Sequence, residues 1–142
     1  MLQIVLLPIV CGLICQLLKL IFSAFTGKFS WGELNSYGGM PSSHSAFVSS
    51  LAVVAGYYEG WTSVAFSIAL VFAILTIRDA IGFRRILGKH AQIINQMVHQ
   101  MPDSNKSDYQ QLSTRLGHKP GEALAGALIG VAVTLIYVLL TR

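Results

Sequence analysis

Charge is what this chain has least of. Only 11% of its 142 residues are Asp, Glu, Lys or Arg, against roughly 25% in an ordinary soluble domain, while 54% are hydrophobic. A water-soluble fold of this size would lack the polar surface to cover itself, and no nucleic-acid partner is expected. Cysteine is scarce too. Cys11 and Cys15 lie four apart within one apolar block, where a disulfide along a single helix fits poorly, so both are expected to be packing thiols. No Cys or His cluster has zinc-like spacing, and Asp79 with Glu122 is a thin carboxylate set for magnesium, so neither a metal nor a cofactor is expected. Internal repeats and low-complexity tracts are lacking.

What replaces the charge is a series of apolar blocks long enough to cross a hydrocarbon core about 30 Å thick, which takes roughly 20 helical residues. The first, Leu2 to Phe22, has no basic n-region, and its one basic residue, Lys19, sits at the far end. It is expected to be a mature transmembrane helix and not a secretory signal. A polar stretch, Ser23 to Met40, follows and ends in the helix breaker Tyr37-Gly38-Gly39-Met40. The block Pro41 to Tyr58 is of marginal length for a span and closes at Glu59-Gly60, whereas Trp61 to Ile77 is cleaner and stops at Arg78-Asp79. From Ala80 to Gln100, Ile81, Ile86, Ile93, Ile94 and Val98 alternate with polar residues in a helical rhythm, predicting an interfacial or partly buried helix. Met101 to Gln111 reads as a solvated loop. Gly121 to Leu140 makes a last span, and its Gly126 and Gly130 form a Gly-x-x-x-Gly pair that lets helices approach closely, offering a seam for a homo-oligomer. The expectation is an all-α polytopic membrane bundle of about four transmembrane helices plus an amphipathic interfacial helix, with residues 1–142 as a single membrane-embedded domain.

Basic residues near span ends collect on the cytoplasmic side. With Arg78 to Lys119 inside, the Ser23 to Met40 loop is inside as well and the Glu59-Gly60 turn outside, so nine of the ten Lys and Arg residues fall at the cytoplasmic face. Counting Lys and Arg alone thus brings His44, Asp79, His118 and Glu122 to that same face. A plasma-membrane protein with its site on the inner surface is expected.

Three segments carry residues suited to chemistry. In Gly38-Gly39-Met40-Pro41-Ser42-Ser43-His44-Ser45, a proline favoured at a first helical position leaves the N–H groups of Ser42, Ser43 and His44 pointing from a helix N-terminus, an anion-binding arrangement. In Gly117-His118-Lys119-Pro120-Gly121-Glu122, His118 suits attack on phosphorus or proton transfer, and Glu122, about one turn on, suits holding its imidazole in one tautomer. Glu122 also satisfies the plain preference for acids in a first helical turn. In Arg78-Asp79-Ala80-Ile81-Gly82-Phe83-Arg84-Arg85, a continuous helix puts Arg78 and Arg85 on one face and Arg84 on another. Their guanidinium forks match phosphate, or else form a collar for anionic membrane lipids. Asp79 either pairs with a neighbouring arginine or accepts a proton. Lys19 either snorkels or binds phosphate. His90 and His99 are expected to be solvated.

These segments together resemble the divergent branch of the type 2 phosphatidic acid phosphatase family, the acid phosphatase and vanadium-dependent haloperoxidase relatives. The resemblance runs from Lys19 through Gly38 to Ala46, Asp79-Ala80 with Gly82 and Arg84-Arg85, to Gly117-His118 with Pro120 and Glu122. It implies His118 as nucleophile supported by Glu122, His44 as general acid, and Lys19, Ser42, Ser43 and the arginines Arg78, Arg84 and Arg85 around the phosphate. Asp79 joins the catalytic group. The position six before His118 is Leu112, where the wider family has arginine, so that arginine is Arg115, Arg84 or Arg85. A rival alignment pairs Arg84 with His90 but meets Phe83 and Ile94 where the motif has Ser and Asp. His118 fits better.

The resemblance implies a metal-independent phosphatase acting on the phosphomonoester or diphosphate of a lipid or polyprenyl substrate. The alternative is a non-catalytic module that binds or moves a phosphorylated lipid with the same anion cradle. Either way the two long polar segments share one face. Single cysteines placed at Ser36 and Ser107, in a background lacking Cys11 and Cys15, should be labelled by an impermeant thiol reagent from the same side of the membrane. Labelling from opposite sides would separate the two halves of the site.

Overall fold

The computed structural model describes residues 2–25, 39–102, 109–114 and 116–141. Five helices follow one another: α1 (Leu2–Phe25), α2 (Ser43–Glu59), α3 (Val64–Ile81), α4 (Phe83–His99) and α5 (Pro120–Leu140). Among the described residues, three helical stretches are long and apolar enough to cross a membrane: Leu2–Phe25, Val64–His99 and Pro120–Leu140. Their outer faces carry large exposed side chains such as Leu13, Leu17, Ile68, Phe72, Leu128 and Leu139, which is what hydrocarbon surroundings require and water does not tolerate. The protein is a membrane helical bundle.

The 17-residue α2, about 25 Å long at 1.5 Å per residue, is the helix around which the others pack, with α1, α3 and α5 all against it. Apart from Val48 and Val54, its buried positions are small: Ser45, Ala46, Ser49, Ser50, Ala52, Ala55 and Gly56. Small side chains let the helices close in where no hydrophobic force drives helices together inside lipid. The closest approach is to α5. A Cβ on Gly126 would run into the Ser42 carbonyl and one on Gly130 into the Ala46 carbonyl. The Gly-x-x-x-Gly pair therefore makes a close contact with α2 of the same chain. Higher up the same seam, Ser50 and Thr134 share a 2.7 Å hydrogen bond, and the Thr134 hydroxyl also donates to the Gly130 carbonyl. Cys11 and Cys15 are free and buried, as expected of packing thiols.

Three boundaries differ from those read off the sequence. α1 continues to Phe25, three residues into the stretch expected to be a polar loop. Pro41 does not start α2: Ser42 is the N-cap, its hydroxyl accepting from the Ser45 N–H, and a serine cap satisfies a first-turn donor that a proline start leaves open. Residues 78–85 are not one helix. α3 ends at Gly82, whose N–H donates to the Arg78 carbonyl at 2.9 Å, and α4 starts afresh at Phe83. A Cβ at Gly82 would sit 2.8 Å from that carbonyl, so glycine permits the break between the helix that carries Arg78 and the helix that carries Arg85. Most of the two expected loops lies outside the described residues, as do Ser36, Ser107 and Arg115.

Beyond the break, α4 is the expected amphipathic helix, with Ile86, Leu87, Ile93 and Met97 exposed and only Gly88 and Ala91 buried. It supports the strand of chain that leads into α5. Asn95 clasps Leu112 through both its amide groups, donating to its carbonyl at 2.9 Å and accepting from its N–H at 3.0 Å. Gly88 lies under the Thr114 and Leu116 carbonyls.

The α2–α5 seam makes a sharp stability prediction. Gly126→Ala should destabilise the protein by roughly 1–3 kcal/mol, as overpacking does, whereas Gly121→Ala, with nothing within 4 Å of its Cβ, should stay within about 0.5 kcal/mol of wild type. Denaturation in mixed micelles, followed by circular dichroism, would measure both. Equal stability of the two variants would mean that the glycine seam is not what holds α5 to α2.

Candidate active site

Two helix starts meet at one end of the bundle. The Ser42 N–H at the head of α2 donates to the Glu122 carbonyl in the first turn of α5 at 3.1 Å, setting the positive ends of two helix dipoles side by side. This bond corrects one expectation, because the Ser42 N–H is not free. The Ser42 side chain is fully buried and accepts from both the N–H and the hydroxyl of Ser45. Ser42 therefore builds the helix start. Among the described residues, the N–H groups of Ser43 and His44 have no such partner, as the first donors of a helix do not. Ser43 is half-buried and His44 exposed.

His118 is brought to the same place by its backbone. Its N–H donates to the Ala80 carbonyl at the end of α3 at 3.0 Å. Gly117 precedes it at φ +84, with the site of a Cβ 2.5 Å from the Arg85 amide nitrogen. Both the left-handed conformation and the close passage over the α3–α4 break exclude a side chain. His118 is 6% exposed, and its Nδ1 lies 3.2 Å from Glu122 Oε2. The same carboxylate oxygen accepts from the Lys119 N–H at 3.1 Å, so Glu122 caps α5 and orients His118 at once. An ionised carboxylate only accepts hydrogen bonds, so a neutral imidazole in this contact carries its proton on Nδ1 and keeps the lone pair on Nε2.

The basic residues divide. Arg84 Nε is 2.7 Å from Asp79 Oδ2, each side chain about 40% exposed, which is the pairing weighed for Asp79 from the sequence. Asp79 is thereby tied to Arg84 across the break. Lys19 is only 9% exposed and does not reach out along the lipid face; its side chain lies over Gly39, just ahead of the α2 start. His44 lies within electrostatic reach of Arg84, His118 and Lys19. Arg78 and Arg85 are exposed. So is His90, on the outer side of α4. Among the described residues, no three His, Cys, Asp or Glu side chains gather as a metal site would need.

Reading the sequence missed the supports. Ala80, Gly88 and Asn95 position the chain that delivers His118, although none would touch a substrate. Two signals pointed to them: an amide residue well inside an amphipathic helix, and a glycine in a helix whose neighbours are not glycine.

A membrane bundle in which a buried histidine–carboxylate pair, a second histidine and two basic side chains converge on paired helix starts defines a phosphatase-like membrane protein. The profile of the Divergent PAP2 family matches residues 2–133, and the chain belongs to that family. It is 36% identical over 120 residues to an uncharacterized membrane protein, YuiD, of Bacillus subtilis, covering 77% of this chain and 76% of that one. No solved structure matches.

The Glu122 contact fixes the imidazole tautomer, and this is directly observable. Nitrogen NMR of histidine-labelled protein, recorded where the imidazole is neutral, should show His118 with a protonated Nδ1 and a bare Nε2. Glu122→Gln, which keeps an acceptor oxygen, should preserve that form, while Glu122→Ala should release it to a mixture. A mixture already present in the wild type would mean that the pair does not orient the ring.

Proposed function

We propose that the protein hydrolyses the phosphomonoester or diphosphate of a lipid or polyprenyl substrate, with His118 as nucleophile. The observation that carries this reading is the buried His118–Glu122 contact, which in the neutral imidazole leaves Nε2 as the lone pair, at the same end of the bundle as His44 and the start of α2. In the first step Nε2 forms a bond to phosphorus as the ester oxygen leaves, taking a proton from His44. Glu122 stabilises the imidazolium that attack creates. In the second step His44, now a base, takes a proton from water whose oxygen displaces Nε2, giving inorganic phosphate and restoring both histidines. The Ser43 and His44 amides, Lys19 and Arg84 hold the phosphoryl oxygens, and such preorganised donors act where charge develops. Ser42 and Asp79 serve by positioning, through the α2 start and through Arg84. Arg78 and Arg85 lie at the rim, where they suit anionic lipid headgroups.

The clustering of Lys and Arg at this end of the bundle supports placing the site at the cytoplasmic face of the plasma membrane. No step in this scheme requires a metal ion, so phosphate release from phosphatidate, phosphatidylglycerophosphate or polyprenyl diphosphate should survive EDTA. Loss with chelator and rescue by magnesium would overturn the scheme.

The histidines separate an enzyme from a binder. His118→Ala should abolish turnover and any acid-labile phosphoenzyme. His44→Ala should slow turnover by about 10²- to 10⁴-fold, the usual worth of a positioned acid, and by less for a leaving group that needs no proton. Vanadate affinity should fall far less than rate in both. If the wild type releases no phosphate from any of these lipids and both variants lose only affinity, the protein binds or moves a phosphorylated lipid instead.

A further inference from the structure

An open groove of about 300 Å³ runs between α1 and α2 and ends at the candidate site. Ile9, Gly12, Leu13 and Phe47 form its walls, and Gln16, Ser43 and His44 close its polar end. From Ile9 to Gln16 it follows about 10 Å of helix axis at 1.5 Å per residue, roughly a third of a 30 Å hydrocarbon core. Its walls face the lipid, Leu13 being 59% exposed.

Gly12 is what opens it. At Gly126 an added Cβ collides with backbone, so that glycine serves helix contact. At Gly12 a Cβ would meet Phe47 and the Ser43 carbonyl at 3.8 Å, an ordinary contact distance. The α1–α2 approach therefore does not require a glycine there, and the space it leaves remains open to an occupant. At the polar end, His44 lies within electrostatic reach of Lys19 and Arg84, beside first-turn amides of α2 that have no partner among the described residues. An occupant that matches both ends has a hydrocarbon chain and an anionic head.

We propose that this groove seats one acyl chain of a phosphorylated glycerolipid and thereby delivers its phosphate to His44 from the bilayer side. The inference rests on the phosphate-site reading above for the head of the lipid, and on the groove for its tail. It makes Gly12, Leu13 and Phe47 the residues that select for chain. A substrate enters laterally, from the leaflet in which it already lies, without its chain crossing water.

The test is photolabelling of the full-length protein in phosphatidylcholine vesicles by a phosphatidate with a diazirine in the part of one acyl chain nearest the glycerol, followed by mapping of the adducts. Label is expected on the Ile9–Gln16 segment and Phe47, competed by unlabelled phosphatidate and not by diacylglycerol. Gly12→Leu should lower it about 10-fold, the scale on which a few methylenes in a pocket discriminate. Gly12→Ala, at an ordinary contact distance, should cost much less. Leu13→Trp narrows the groove from the lipid side without touching helix packing and should also reduce labelling, so the test stands even if Gly12→Leu does not fold.

Label spread evenly over the outer faces of α3 and α5, label untouched by both filling variants, equal competition by diacylglycerol, or labelling by a polyprenyl phosphate probe in place of the acyl one would each overturn the assignment. The readout needs no turnover. Groove labelling in a protein that releases no phosphate refutes hydrolysis and leaves the groove standing, whereas phosphate release with label elsewhere refutes the groove alone.

Discussion

The backbone contact between the heads of α2 and α5 governs everything else at the functional end. One hydrogen bond, from the Ser42 N–H to the Glu122 carbonyl, joins two helices whose first turns each carry a histidine close by. It forms only because Gly126 and Gly130 let α5 lie directly on the α2 carbonyls. A side chain at either glycine would push the helices apart and take His118 away from His44. Inside a bilayer, where apolar surface gains little by leaving lipid for protein, such close packing and the few internal polar bonds must hold the bundle. Ser50 and Thr134 continue the same seam toward the other end.

The second half of the site depends on a different device. The chain cannot carry His118 to α2 directly, because α3 and the long connection beyond it intervene. The turn at Gly82 solves this by redirecting α4, which then supports the connection through Asn95 and Gly88 and lets Gly117 pass over the break. The Ala80 carbonyl exposed at the end of α3 receives the His118 N–H. A helix end that would otherwise leave an unsatisfied acceptor in the membrane boundary thus becomes the anchor of the candidate nucleophile.

Electrostatically the site is a concentration of positive potential facing outward from a low-dielectric bundle. Two helix N-termini, Lys19 and Arg84 supply it, and Glu122 and Asp79 each neutralise one member while orienting it. For the proposed phosphate substrate, that distribution supplies counter-charge to the phosphoryl oxygens. It also explains why the acids are not free: each is held by a hydrogen bond to the group it aims.

Composition and periodicity were enough to establish the membrane class, the all-helical bundle, the amphipathic helix near residues 83–99 and the gathering of His44, Asp79, His118 and Glu122 at one end. These follow from local rules: apolar run length, a period of 3.6, and the counting of Lys and Arg. The Glu122 pairing with His118 was legible because both lie four residues apart on one short segment. Tertiary structure alone decided which arginine pairs with Asp79, because the pairing with Arg84 spans the break at Gly82, and periodicity carries no sign of where a helix ends when the residues on both sides favour helix. It alone decided that Ser42 builds the helix start and leaves Ser43 and His44 to face outward, since capping geometry and a contact across 80 residues of sequence are set in three dimensions. The role of Gly126 and Gly130 was likewise undecidable in one dimension: a small-residue pair announces a close helix neighbour, but only packing shows whether that neighbour belongs to the same chain.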